Sequence, residues 1–256
     1  MTVTVTKAID EIQIIKGVMK NINKLTPILF PGRCPVCDSV VAPGKLICRG
    51  CVGKLELIKE PTCMKCGKQL WQETQYCYDC GRKHFTYERG FALYNYDETT
   101  RRSIVAFKYK GRAEYANYYG LQMARQYYQT MKRHDINAVL AVPIHSRRLG
   151  IRGYNQAELI CNRLCEITGL INLSGLILRT KNTRPQKELD DVGRRKNLEK
   201  AFEINDNFTI PNGVKNVIII DDIYTTGITI DACSKIVKDM IGCKVYFSVL
   251  AIGRGL

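Results

Sequence analysis

Four CxxC pairs crowd residues 34–80: CPVC (Cys34, Cys37), CRGC (Cys48, Cys51), CMKC (Cys63, Cys66) and CYDC (Cys77, Cys80). Tetrahedral zinc takes four ligands, and one CxxC knuckle presents two thiolates from a single tight turn. Four knuckles therefore predict two closed Zn2+ sites of four sulfurs each, structural rather than catalytic because no position stays open. A redox CxxC normally occurs once beside a βαβ unit, and structural disulfides do not suit a reducing compartment. Two pairings satisfy the spacing. Sequential sites join 34/37 with 48/51 and 63/66 with 77/80; a cross-braced arrangement joins the first pair with the third and the second with the fourth. Few other residues in 33–81 can build a core, so metal binding supplies much of the folding energy there.

The other cysteines, Cys161, Cys165, Cys233 and Cys243, lie in apolar helix- or strand-like runs and read as small buried hydrophobes. Residues 1–30 carry Asp10, Glu11, Lys16, Lys20 and Lys24 too closely for a signal h-region or a membrane span. Ile9, Ile12, Val18, Met19, Ile22 and Leu25 instead suit the apolar side of a short helix. The expected location is cytoplasmic, with no membrane span.

Beyond residue 90 the pattern alternates between strands and helices. FALYNY (91–96) reads as an edge strand, and Thr99/Thr100 with RRSIVAFKYKGR as a capped basic helix. A helix over 113–132, a strand at AVLAVPI (138–144) and a helix over 155–168 follow. LSGLIL (173–178) is a short strand, VKNVIII (214–220) a buried one, and a helix near 229–240 leads to a last strand, KVYFSVLAI (244–252). Apolar strands alternating with helices predict an α/β fold with a parallel sheet covered on both faces. The organisation is a lead-in over 1–32, a double zinc-ribbon module over 33–88 and an α/β domain over 89–256. The chain has 256 residues, enough for one filled domain and a small module.

In a parallel sheet, ligands bind beyond the carboxyl ends of the strands. There the chain reads VIIIDDIYTTGITIDAC, setting Asp221 and Asp222 against a hydroxyl-rich glycine turn that opens a helix. Neither acid has a cation nearby in sequence. Vicinal ribose hydroxyls can donate to both, and a divalent metal can offset their charge. Thr225, Thr226 and Thr229, Gly227 and the helix-start amides suit a phosphate monoester. Simple helix capping explains one Asp or Thr, not two acids followed by T-T-G-x-T. Thirty-nine Lys+Arg against 24 Asp+Glu, a formal +15, fits phosphate-bearing partners, nucleic acid included.

VIIIDDIYTTGIT resembles the phosphoribosyl diphosphate signature of type I phosphoribosyltransferases. LFPGRCPVC, the knuckle series, FKYKGR, VPIHSRRLGIRGYNQAELI and RPQKELDDVGRRKNLEKAF extend the resemblance, in order, to the ComF family of competence-associated proteins. The resemblance implies a type I phosphoribosyltransferase-like sheet behind the zinc-ribbon module. It implies that Asp221 and Asp222 hold the ribose, one of them through Mg2+ in one version. It gives the 5-phosphate to Thr225, Thr226, Gly227, Thr229 and the amide of Ile228. The diphosphate falls to His145, Arg147 and Arg148, with Arg152 and Asn155 as secondary candidates. Gln186, Arg194 and Arg195 fall in the segment that is a mobile lid in such enzymes. Two functions are implied: a phosphoribosyl diphosphate-binding protein of DNA uptake that meets single-stranded DNA or helicase-type proteins, and a working transferase with Asp221 and Asp222 as catalytic groups.

Overall fold

The computed structural model describes residues 31–180 and 201–253. The expected helix near residues 9–25 and the three lid candidates Gln186, Arg194 and Arg195 lie outside them. Strand β1 (Gly90–Asn95) is followed by helices α1 (Glu98–Tyr109) and α2 (Tyr115–Arg133), then β2 (Ile136–Ala141). Helices α3 (Ser146–Arg152) and α4 (Gln156–Thr168) lead to β3 (Ile171–Asn172). A hairpin of β4 (Ile177–Arg179) and β5 (Phe202–Ile204) precedes β6 (Asn216–Tyr224), α5 (Ile228–Ile241) and β7 (Val245–Ile252). The helix starts are chemically marked: Asp97 accepts from the Thr100 amide at α1, and Asn155 from the Ala157 amide at α4. The α1 cap thus comes from Asp97 rather than from the threonines after it.

The main sheet has the order β1-β7-β6-β2-β3, and every neighbouring pair is parallel. FALYNY supplies the edge strand β1, as its pattern predicts. From β2 the chain moves outward to β3, whereas from β6 it moves the opposite way to β7. The winding direction therefore reverses between β6 and β2, which makes that crevice the switch point where ligands bind such sheets. Period-two alternation divides the strands between two cores. Val217 and Ile219 join α5 residues Ala232, Cys233 and Val237 on one face. Ile218 and Ile220 join Ile104, Phe107, Tyr119 and Ile160 of the α1, α2 and α4 layer on the other. This is the α/β class expected, with the ribbon module in front.

Two local expectations change. LSGLIL is not one strand: residues 173–176 turn through Gly175 (φ 105°), between Ile171–Asn172, which pair in the main sheet just before it, and Ile177–Arg179, which form the hairpin. Leu173 and Leu176 are fully buried, so the turn inverts the chain without exposing its apolar residues. VKNVIII does not end before the acids. β6 runs on through Tyr224, with Asp221 opposite Val249 and Tyr224 opposite Ile252 of β7.

Candidate functional site

The eight knuckle sulfurs gather into two groups, Cys34/37/48/51 and Cys63/66/77/80, with the atoms of each within 4.8 Å of one another. Sequential pairing therefore holds, and the cross-braced alternative is excluded. The Sγ–Sγ separations of 3.7 Å for Cys37–Cys48 and 3.8 Å for Cys66–Cys77 suit a tetrahedral ion with Zn–S bonds of about 2.3 Å. Both groups thus fit structural Zn2+. The ribbons differ in setting. The first has its own small cluster of Cys34, Val41 and Cys51, while the second belongs to the core on the α5 face of the sheet. Cys161, Cys233 and Cys243 are buried, as small hydrophobes should be, and Cys165 is half-buried.

The acids sit where β6 outlives its neighbour: β2 pairs with β6 only as far as Ala141 opposite Ile220. The acids come just beyond that last pair, and strand alternation sends them apart. Asp221 senses Arg179 and Cys233 on the α5 side, while Asp222 meets Lys108 of α1 on the other. Lys108 Nζ lies 2.8 Å from Asp222 Oδ1, with both side chains mostly buried. Neither acid has a cation nearby in sequence, and the fold supplies one to Asp222 from 114 residues away. Asp221 Oδ1 accepts the Asp222 amide at 2.8 Å. Loss of water around Asp221, reinforced by the charge of Asp222, pushes its carboxyl up to about 7. With one oxygen of each acid engaged, Asp222's by an ammonium, the pair does not fit a divalent cation.

The turn after β6 has the expected donors. Gly227 adopts φ 79° and is the residue before α5, where no side chain caps the helix. The first intrahelical bond there runs from the Asp231 amide to the Gly227 carbonyl, so the amides just before Asp231 face the turn without helical acceptors. Glycine is required twice over, because a Cβ would also lie 2.4 Å from the Tyr224 hydroxyl. Tyr224 is held in turn by a 2.8 Å bond to Tyr87 and by stacking on Phe247 at 5.1 Å. Thr86, beside Tyr87, donates its amide to Asp231 Oδ1 at 2.6 Å. The segment leaving the second ribbon therefore braces the turn. Between them opens a small pocket of about 70 Å³ where Lys68, Asp79 and Lys83 meet Tyr224, Thr225 and Thr226 beside the second ribbon's cysteines.

A double zinc ribbon domain matches residues 25–81. Competence protein F of Haemophilus influenzae is 27% identical over 222 residues, covering 82% of this chain and 93% of that protein. Competence protein ComFC of Bacillus subtilis is 26% identical, covering 77% and 85% respectively. DNA utilization protein YhgH of Escherichia coli K12 is 25% identical, covering 79% and 89%. These matches span ribbons and sheet together. Over ribbons and sheet alike, the chain is similar to proteins named for competence and DNA utilization. Among solved structures, the Helicobacter pylori xanthine-guanine-hypoxanthine phosphoribosyltransferase aligns over 56% of this chain and 84% of that one, at 15% identity and a TM-score of 0.33, too distant to build on.

The loop after β2 follows the strand that flanks β6 at the switch point. His145 stands before α3, and its Nδ1 accepts the Arg147 amide at 3.1 Å, so that nitrogen is already engaged. Arg147 is exposed and Arg148 half-buried. Burial holds the Arg179 guanidinium below its usual range, and the charge of Arg148 adds to this while that of Asp221 opposes it. Asn155 is a scaffold residue: besides capping α4, it donates to the Val142 carbonyl at 3.0 Å and so pins the loop. Arg152 bonds Gln156 and the Tyr109 hydroxyl, both at 3.0 Å. Sequence reasoning missed Lys108, Arg179, Tyr87 and Tyr224. Lys108 lies in FKYKGR, a stretch singled out by resemblance but given no role, and nothing local marks Arg179.

Proposed function

We propose that the chain binds phosphoribosyl diphosphate and acts in DNA uptake, coupling that site to the handling of incoming single-stranded DNA or of helicase-type partner proteins. One observation carries this reading: paired acids and an uncapped glycine turn stand together at the switch point of a parallel sheet. Asp221 and Asp222 accept the ribose hydroxyls. The amides around Ile228 and the hydroxyls of Thr225, Thr226 and Thr229 take the 5-phosphate, with Gly227 shaping the turn. His145, Arg147 and Arg148 face the diphosphate, and any Mg2+ travels on the diphosphate rather than on the acids. The relatives' names, Competence protein F and DNA utilization protein, support the DNA side of the reading. Twelve free thiols in two zinc-fitted clusters and scattered buried positions suit a reducing cytoplasm. Among the described residues no helix is long and apolar enough to cross a membrane.

Calorimetric titration with phosphoribosyl diphosphate, paired with thermal melts, tests the site. Wild type should bind and melt higher with ligand, Asp221→Asn/Asp222→Asn should do neither, and Thr226→Ala should retain a reduced shift. Wild-type affinity in the double variant would remove the ribose reading. On the nucleic-acid side, Tyr115, Tyr118 and Tyr119 are buried and unavailable to stack bases. Exposed Trp71, Tyr78 and Tyr109 remain, and binding of single-stranded DNA should weaken steeply with salt. A second reading, transferase turnover, draws support from Asp221, whose carboxyl near 7 suits a general base. Sustained consumption of phosphoribosyl diphosphate with one added base would favour it over the binding role.

A further inference from the structure

A lysine that meets a carboxylate across 114 residues of sequence must be placed by the fold, and the placement of Lys108 is over-determined. It sits in the last turn of α1, and the carbonyl of its neighbour Phe107 accepts both Tyr154 Oη at 2.6 Å and Gln156 Nε2 at 3.3 Å. Its other neighbour, Tyr109, lies under Arg152, with the guanidinium 4.8 Å from the ring centre. The end of α1 is thus fastened to the α3–α4 turn, which sets the Lys108 backbone close to β6. There Asp222 Oδ1 accepts the ammonium at 2.8 Å.

We propose that Lys108 is the resident cation of the acidic pair, filling the place that a divalent ion takes at paired carboxylates and making the ribose subsite independent of metal. The groups facing the pair are Asp221 and Asp222 of β6, Lys108 of α1 and Arg179 of β4, the last acting on Asp221 from the α5 side. Lys108 pairs with Asp222 and also lowers the Asp221 carboxyl, to which Arg179 adds a smaller effect. A dication bound to Asp222 would stand within a few ångströms of the ammonium and either repel it or expel it into a mostly buried setting. A ribose diol adds no charge. It donates to oxygen lone pairs that Lys108 leaves open, since an ionised carboxylate has about four acceptor sites. The lysine is therefore a specificity-determining residue: it admits neutral hydroxyl donors and excludes metal. The purpose of the pair rests on the phosphoribosyl reading; the balance of charge does not.

The test uses the full-length, zinc-loaded protein and Mn2+ alone, with free Mn2+ followed by electron paramagnetic resonance. Wild type should show no Mn2+ site tighter than about 1 mM, the weak end of oxygen-ligand sites. Lys108→Met and Lys108→Gln should each gain one at least about tenfold tighter, since one nearby positive charge is removed. Lys108→Arg should stay like wild type, and adding Asp222→Asn to Lys108→Gln should abolish the gain. The glutamine variant keeps a donor for Asp222, which guards against loss of fold. Equal Mn2+ affinity in wild type and Lys108→Gln overturns the assignment, and so does a folded Lys108→Gln with no Mn2+ site. A second titration, with ribose 5-phosphate, should give the same affinity with and without Mg2+ in wild type. If ribose 5-phosphate fails to bind while the Mn2+ series behaves as expected, the ribose reading falls and the resident cation stands.

Discussion

The two zinc ribbons share a rhythm of cysteines and differ in almost everything the fold adds. In the first, Cys37 is exposed and Cys48 half-buried, and the sulfurs share a three-residue cluster of their own. It is fastened from outside: Asp38 accepts Arg112 at 2.6 and 2.9 Å and the Tyr115 hydroxyl at 2.8 Å. In the second, all four cysteines are buried within the main core, and the chain leaving it packs Phe85, Tyr87 and Tyr224 behind the glycine turn. One ribbon lies against the α1, α2 and α4 layer through Val36, Leu46, Ile47 and this ion pair, with its sulfurs outside that core. The other is part of the wall of the candidate site. Identical metal chemistry thus carries different consequences, because what metal loss destroys depends on which core the ligands share.

The sharpest way to break this comparison is to remove one ligand from each ribbon. Cys66→Ser should lower zinc content from two ions to one, drop the melting temperature by ten degrees or more on the order of 3–5 kcal/mol, and abolish phosphoribosyl diphosphate binding. Cys34→Ser should lose one zinc as well yet keep ligand binding, because the first ribbon packs on the α1, α2 and α4 layer rather than behind the glycine turn. Equal loss of binding in both variants, read by calorimetry alongside metal analysis, would erase the distinction between the ribbons.

Asp221 probes the second ribbon's core from the opposite end. Its carboxyl is raised to about 7 in the fold, above the usual carboxylate range, so the folded state holds a proton that the unfolded chain has released. Stability from this group is therefore greatest in acid, falls as pH rises through about 4 to 7, and is flat above. Asp221→Asn should raise stability by on the order of 2 kcal/mol at pH 8 and by less at pH 5. The gain should slow zinc release from the second ribbon and leave the first unchanged, which timed transfer to a chromogenic chelator resolves. Asp222→Asn should run the other way, since it strips Lys108 of its partner.

A smaller effect belongs to the fastening of the first ribbon. The Arg112 bond holds the Asp38 carboxyl below its usual range, so this contact stabilises above the ordinary carboxylate pKa and is lost in acid as Asp38 protonates. Arg112→Ala should cost about 1 kcal/mol and hasten zinc release from the first ribbon alone. Smallest of all, Tyr87→Phe removes one hydroxyl from the Tyr87–Tyr224 bond and should cost about 1 kcal/mol. It should weaken phosphate-bearing ligands modestly while leaving both zincs in place. If Tyr87→Phe left ligand affinity untouched, the brace behind Gly227 would be packing without influence on the turn.

Local chemistry made much of this legible from the chain alone. A CxxC knuckle is closed by its own turn, an Asn or Asp cap by its own helix, and apolar strand runs by a period of two; each acts within a few residues, so each can be read in order along the sequence. The acid pair, the glycine turn and the zinc ligands belong to this class. What required the folded chain acts across distance. The choice of sequential over cross-braced pairing, the burial of one ribbon and the exposure of the other, and the extension of β6 beyond β2 all follow from how elements stack. The turn inside LSGLIL does too, since its residues are apolar throughout and only the hairpin decides where the strand begins. Lys108 is the clearest case. Its charge is plain in FKYKGR, but its partner is chosen by α1 lying on one face of the sheet and by strand alternation turning Asp222, not Asp221, toward that face. Spacing along a chain reports neighbours of up to about a helical turn; which cation answers which acid is settled where two elements meet.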